Sequence, residues 1–303
     1  MDVSNFNQSS NTTSCPAEIL SLTAVKTVSS LNILFAVLSV GGNSLVLIAL
    51  WRTPSMHNTS NVFVASLAFA DLIVGSLANP LYVFLSLMKS LRDVRAIKNA
   101  ETFVWLLTVT ATTYNLCAVS IDRFIAVTKP LRYHQLVTIP RCLKAIGLTW
   151  IFAIIFASAS FFVPLSDIAS IWITGSVTTV FVPLVIISYC YFKIWRAVQH
   201  QVNMINAVDN SGDSQGIARN RAKNRKAAWT FGIIILLFGI LFLPSLITNF
   251  IAIEAKTQCD FFEVNRIWFW TSVTSYSSSA INPWVYTIRM QEFRGAFKKI
   301  FKS

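Results

Sequence analysis

Charge is scarce in this sequence. Lys, Arg, Asp and Glu make up 13% of its 303 residues, against about 25% in a soluble domain. So few charges cannot cover a water-facing surface, which argues against a soluble enzyme, a nucleic-acid binder or a disordered scaffold. Metal and catalytic patterns are missing too. The five cysteines (Cys15, Cys117, Cys142, Cys190, Cys259) show no CxxC or Cys/His spacing, so no zinc site is indicated. There is no HExxH, and His57, His134 and His200 all fall in inner loops, away from any pocket. A second buried carboxylate for acid–base work is lacking, so the chain is not read as an enzyme. No internal repeat with broken helices marks a transporter.

What the chain has instead is apolar length. Hydrophobic residues reach 54% and aromatics 13%, with 23 Phe and 9 Trp. A bilayer core of roughly 30 Å takes about 20 mostly apolar residues per helix. Seven stretches meet that length: Val28–Trp51, Val62–Leu87, Phe103–Val127, Ala145–Val163, Ile171–Trp195, Ala227–Ile253 and Ile267–Ile288. The expected fold is an all-α membrane protein, a seven-helix transmembrane bundle over residues 28–288. A short amphipathic helix follows in 289–303, where bases alternate with Phe293, Phe297 and Ile300.

The net charge of +12 reports orientation. With the N-terminus outside, most bases fall on inner segments, as Lys and Arg do in cytoplasmic loops. They include Arg132, Arg141, Lys193, Arg196, Arg225, Arg294 and Lys298; the group Lys89, Arg92, Arg95 and Lys98 is an outer exception. Residues 1–27 then form an extracellular N-terminus whose Asn7-Gln8-Ser9 and Asn11-Thr12-Thr13 are glycosylation acceptors. That segment holds no apolar core of a cleaved signal, so the first span is expected to direct insertion. The long inner connection from about Ala197 to Lys226 contains Asp209-Asn210-Ser211-Gly212-Asp213 and is expected to be a flexible loop.

Polar groups inside apolar spans mark function by default. Asp71 lies in the middle of the second span, with Asn43 in the first, Thr112 and Asn115 in the third, and Ser278 and Asn282 one turn apart in the seventh. These residues suit a cation site, with sodium favoured by the oxygen ligands. They equally suit a hydrogen-bonded Asp that packs helices. Asp122-Arg123 ends the third span, and Pro80, Pro183, Pro244 and Pro283 interrupt four others.

In order and spacing, these features resemble the rhodopsin-like (class A) G-protein-coupled receptors. The resemblance is carried by Gly42-Asn43, Leu67-Ala68-Phe69-Ala70-Asp71, Asp122-Arg123-Phe124 (a variant of the family's Asp-Arg-Tyr), Trp150, Pro183 with Tyr191, Phe238 with Phe242-Leu243-Pro244, and Asn282-Pro283-Trp284-Val285-Tyr286. It implies a plasma-membrane, multi-pass receptor that binds an extracellular ligand and activates a heterotrimeric G protein, with arrestin and membrane lipid as further partners and no nucleic acid. An orphan receptor that acts constitutively or as a heteromer partner is the alternative, ahead of a transporter.

The same resemblance assigns roles. Arg123 would leave Asp122 and meet Tyr191 and Tyr286 as the inner half opens, with Phe242, Pro244, Asn282 and Pro283 as moving parts. Asp71, Thr112, Ser278 and Asn282 match the family's sodium pocket; no other cofactor is implied. Asn224 stands where some members carry an acid that locks Arg123, so appreciable basal signalling is expected. The inner segments Pro130–Tyr133 and Arg289–Arg294 look like those of adenosine receptors. The absence of the usual outer disulfide, with Lys98 near its first cysteine's place and none in Pro164–Ser170, resembles the melanocortin, lysophospholipid and cannabinoid receptors. Cys15 and Cys259 would then pair. The ligand pocket would be lined by Trp105, Val109, Ser176, Thr179, Ser245, Asn249, Trp268, Ser272 and Tyr276. Trp105 stands where aminergic receptors place an acid, which disfavours an amine there. A neutral heterocycle such as a purine, a lipid or a small peptide is expected instead, and Glu101, one turn above Trp105, is the nearest outer acid.

Overall fold

In lipid, backbone N–H and C=O groups have no water to bond, so an apolar span closes its own hydrogen bonds as a helix. The computed structural model describes residues 19–92, 94–163, 173–207, 215–255 and 257–300. Seven long helices stand among them: α1 (Leu22–Arg52), α2 (Thr59–Leu87), α3 (Arg95–Thr128), α4 (Ile139–Ser158), α5 (Val182–Ala207), α6 (Gln215–Glu254) and α7 (Gln258–Arg289). The shorter α8 (Gln291–Ile300) follows. Two helices carry a π-helical turn, Val74–Ala78 within α2 and Val177–Phe181 at the entrance to α5.

The central helix is α3. In its most apolar stretch 78% of residues are buried, against 17% in α4, which leaves most of its apolar side chains on the outside of the bundle. An inner core of Val46, Leu67, Leu116, Ile234 and Tyr286 joins α1, α2, α3, α6 and α7. An outer core of Val28, Tyr82, Trp105, Phe242 and Tyr276 does the same toward the other face. Small residues let backbones approach. At Gly42 of α1, a Cβ atom would stand 2.8 Å from Cγ of Pro283 in α7.

The seven-helix bundle is as expected, and three details differ. First, among the described residues six of the long helices are apolar enough by composition alone to count as membrane spans, and α7, the seventh of the bundle, is less apolar. Its interior is rich in buried serines, Ser272, Ser275, Ser277, Ser278 and Ser279. Several return their hydroxyls to their own helix, Ser272 to the Trp268 carbonyl at 2.7 Å and Ser278 to that of Ser275 at 2.7 Å. A helix buried among protein neighbours, with its hydroxyls satisfied, needs no apolar surface on every side. Second, α3 starts at Arg95 rather than Phe103, which brings Lys98 and Glu101 onto the helix. Third, most of the connection expected to be loop is helical, since α5 runs to Ala207 and α6 starts at Gln215.

The amphipathic helix is present as α8. Its Phe293 is fully buried and stacks on Tyr286 at 5.4 Å between ring centroids.

Candidate functional site

Polar groups gather at three depths, each fixed by local chain chemistry. At mid-bundle, Asp71 is completely buried on α2. The Asn282 amide donates to Asp71 Oδ2 at 2.8 Å, and the Ser39 hydroxyl donates to the Asp71 carbonyl at 2.8 Å. Asp71 Oδ1 has no hydrogen-bond partner, and neither does Asn115 Oδ1, whose amide donates to the Ala111 carbonyl. Proline at 283 cannot donate to the carbonyl four residues back. Asn43 of α1 fills that vacancy, its Nδ2 donating to Ser279 O at 3.0 Å.

Above this cluster lies a cavity of about 20 Å³, room for one water-sized occupant. Thr112, Ser275, Ser278 and Ser279 line it below, and Trp105, Phe242 and Tyr276 above. Among the described residues no cluster of three His, Cys, Asp or Glu side chains exists to hold a metal. A single carboxylate beside hydroxyl and amide oxygens, with one carboxylate oxygen unpartnered, fits a hard monovalent cation and suits no transition metal.

At the inner end, Arg123 of α3 is buried and ion-paired with its neighbour Asp122. Its Nε donates to Asp122 Oδ2 at 2.8 Å, and its terminal nitrogen also donates to the Ser60 hydroxyl of α2. Ser60 donates to Asp122 Oδ2 at 3.1 Å. Tyr133, on the single helical turn Tyr133–Leu136 after α3, donates to Asp122 Oδ1 at 2.7 Å. Burial pushes the Tyr133 phenol above its usual range, and the nearby Asp122 carboxylate adds to this, so Tyr133 stays a donor. Tyr191 of α5 donates to the Ala228 carbonyl of α6 at 3.2 Å. Its ring lies so close to Gly232 that a Cβ there would stand 3.0 Å from it. The side chain of Asn224 lies outside the described residues.

Toward the outer end the aromatics form a continuous cluster. Trp105 stacks on Phe242 at 5.7 Å, and Phe242 on Phe238 at 5.4 Å. Trp105 also meets Trp268 and Tyr276 edge-on at 4.7 and 5.4 Å. Of the residues expected to form the ligand pocket, Trp105, Val109 and Tyr276 line the cavity, and Trp268 joins the same ring cluster. Ser176, Thr179 and Asn249 are buried but do not line it. The remaining two have other uses. Ser245 donates to the Thr271 carbonyl at 3.0 Å and bonds the Ser275 hydroxyl at 2.7 Å, tying α6 to α7, while Ser272 bonds back along α7.

Two participants went unrecognised in the sequence, Tyr82 and Phe269. The hydroxyl of Tyr82 accepts from Trp268 Nε1 at 2.7 Å, and its ring meets Tyr276 at 5.2 Å and Phe269 at 6.2 Å. Counting helical turns from Asp71 would not have found Tyr82, since the π-helical turn Val74–Ala78 lies between them and shifts the register.

Cys259, at the start of α7, is disulfide-bonded. Cys117, Cys142 and Cys190 are free, buried thiols. Cys15, Asn7, Asn11 and the segment 164–170 lie outside the described residues.

Comparison with known proteins agrees with this arrangement. Residues 42–286 match the sequence model of the family described as 7 transmembrane receptor (rhodopsin family). Trace amine-associated receptor 8b of Mus musculus is 29% identical over 296 residues, spanning 88% of this chain and 84% of the relative. Adenosine receptor A2a of Canis lupus familiaris is 30% identical over 300 residues, spanning 88% and 70%. Dopamine receptor 1 of Drosophila melanogaster is 30% identical over 335 residues, spanning 93% and 64%.

Proposed function

The chain belongs to the rhodopsin family of seven-transmembrane receptors, and we propose a signalling route through it that starts at the outer aromatic cluster and ends at Arg123. The protein is a multi-pass membrane protein and a G-protein-coupled receptor whose ligand is unidentified. The family consists of receptors rather than enzymes.

The observation that carries the route is the ring stack Trp105–Phe242–Phe238. It couples α3 to α6 just inward of the proline of α6, Pro244. A ligand that displaces Trp105 shifts Phe242, and α6 pivots where Pro244 interrupts its hydrogen bonding. Opening at the inner end separates α6 from α3 and α5, and Arg123 leaves Asp122 for Tyr191 and Tyr286. A heterotrimeric G protein enters the cleft so formed. Arrestin is the second intracellular partner, and α8 rests on membrane lipid through its apolar face.

Orientation follows from the charge pattern: the N-terminus, with Asn7 and Asn11 glycosylated, is extracellular, and the protein resides in the plasma membrane. Cys15 pairs with Cys259 and tethers the N-terminal segment to the start of α7. Sodium at Asp71, with Thr112, Ser278 and Asn282, stabilises the closed bundle. The ligand is a small organic molecule, as amines and adenosine are in the names of the relatives. Its aromatic or apolar body packs on Trp105, Trp268 and Tyr276. The experiment is guanine-nucleotide exchange on G proteins by membranes containing the receptor, with and without a small-molecule panel. Exchange above that of control membranes supports the reading, and none with any G protein or compound overturns it.

A further inference from the structure

The signalling route leaves a second cavity unused, at the end of the bundle where α1 and α7 begin. Its volume is about 300 Å³, the lower end of the range of small-molecule sites. Ile19, Leu20, Ser21 and Ala24 form one wall, and Arg266 and Trp270 of α7 form the other. It shares no lining residue with the smaller cavity beside Asp71.

The α7 wall carries an ordered set of groups. Glu263, Arg266 and Trp270 stand at i, i+3 and i+7, on one face of the helix. At 1.5 Å of rise per residue, Arg266 lies about 4.5 Å further along α7 than Glu263, and Trp270 about 6 Å further again. Arg266 and Glu263 are ion-paired, with side chains 50% and 41% exposed. An ion pair this exposed does little for stability, so both charges remain open to another partner. Trp270 is 39% exposed, and Trp with its N–H donor is favoured at the boundary between lipid and water. On the opposite wall Ser21 caps α1, its hydroxyl accepting from Ala24 N at 3.2 Å. The start of α1 adds partial positive charge across from Arg266.

We propose that this cavity binds the headgroup of a phosphatidylcholine molecule of the surrounding bilayer. From water to hydrocarbon that lipid presents a cation, a phosphate, ester carbonyls and apolar chains. In the same direction α7 presents a carboxylate, a guanidinium and an indole. Choline lies against Glu263, the phosphate accepts from Arg266, and an ester carbonyl accepts from the Trp270 N–H. Arginine suits the phosphate because its planar fork can donate two parallel hydrogen bonds. The chains continue inward along the bundle surface, where Leu34 and Val37 of α1 are exposed. An anionic lipid without choline leaves Glu263 facing a phosphate of like charge, which sets the preference for the zwitterion. The lipid so held braces the start of α1 against α7, and its site is independent of the ligand pocket and of the leaflet it faces.

The test uses the full-length receptor in dodecyl maltoside, a detergent without phosphate or charge. The probes are dioctanoyl phosphatidylcholine, dioctanoyl phosphatidylglycerol and free phosphocholine, and native mass spectrometry counts the molecules retained. The wild type should hold phosphatidylcholine about threefold to tenfold more tightly than phosphatidylglycerol, and Arg266→Gln should weaken phosphatidylcholine by a similar factor. Glu263→Gln should narrow the preference between the two lipids. The double substitution Glu263→Arg, Arg266→Glu keeps the net charge and the ion pair but reverses their order, and it should lose the preference. Trp270→Phe keeps a ring without the N–H and should weaken both lipids alike. Equal retention of the two lipids by the wild type, or phosphatidylcholine affinity unchanged in both Arg266→Gln and the reversed pair, overturns the site. Free phosphocholine retained as firmly as the lipid overturns the lipid assignment in favour of a soluble zwitterion.

Discussion

Asn43 of α1 donates its side-chain amide to the Ser279 carbonyl of α7 at 3.0 Å, the oxygen that Pro283 leaves without a helical donor. The proline break in the hydrogen bonding of α7 is therefore mended by α1, beside Asp71 and Asn282. Asn43→Ala should leave that carbonyl buried and unmet, costing about 1–3 kcal/mol. Thermal unfolding of the purified variant checks this, with Asn43→Ser expected to lose less.

Gly42 next to it tests how tightly the two helices meet. Because a Cβ would come within 2.8 Å of Pro283 Cγ, Gly42→Ala should destabilise by about 1–3 kcal/mol through overpacking. Gly41, with nothing within 4 Å of a built Cβ, is the control. Gly41→Ala should leave the unfolding midpoint unchanged or slightly raised.

Sodium binding at Asp71 predicts a specific ion effect. Raising sodium chloride, with choline chloride holding ionic strength constant, should raise the unfolding midpoint of the wild type. Asp71→Asn should abolish the difference between the salts. Persistence of the sodium effect in that variant would make Asp71 a helix-packing group.

The stack of Trp105 on Phe242 holds α3 to α6 in the closed bundle. Removing it with Phe242→Ala should raise ligand-free nucleotide exchange about twofold to tenfold, since an aromatic pair contributes about 0.5–1.5 kcal/mol. Phe242→Trp, which retains a stacking face, should show a smaller rise.

A maleimide label that cannot cross the membrane should find no outer thiol in the wild type, because Cys259 is disulfide-bonded. In a Cys15→Ser variant, Cys259 should become labelled. Continued protection there would assign Cys259 a different partner.

Much of the architecture was legible because lipid imposes long apolar runs, and six of the helices carry them. The seventh was less so. The stretch Ile267–Ile288 still reads as a span by its length, but its serines face protein neighbours, so composition marks it less strongly than the others. Helix that continues past the membrane leaves no apolar trace, which is why the Arg- and Lys-rich start of α6 read as loop. Asp71 and Asn282 could be associated in advance, since each is a costly polar group in an apolar span. The partners of Asp122 could not. Ser60 lies near the start of α2 and Tyr133 on a short turn, and only the packed bundle brings them together. Ser245 and Ser272 show the converse. A hydroxyl at a pocket-facing register can equally bond a neighbouring carbonyl, and no periodicity distinguishes the two outcomes.

The central claim is that the closed receptor is held by Asp122 and that freeing Arg123 lets it couple. The direct measurement is ligand-free nucleotide exchange on a heterotrimeric G protein by the purified receptor in nanodiscs, wild type against Asp122→Asn. Asn cannot form the ion pair with Arg123, and a hydrogen bond to a charged group contributes about 1.5–3 kcal/mol. The account predicts a rise in basal exchange of roughly tenfold or more, with a smaller rise for Tyr133→Phe and loss of exchange for Arg123→Ala. Exchange by Asp122→Asn at or below the wild-type level, in receptor that folds and inserts normally, would contradict it.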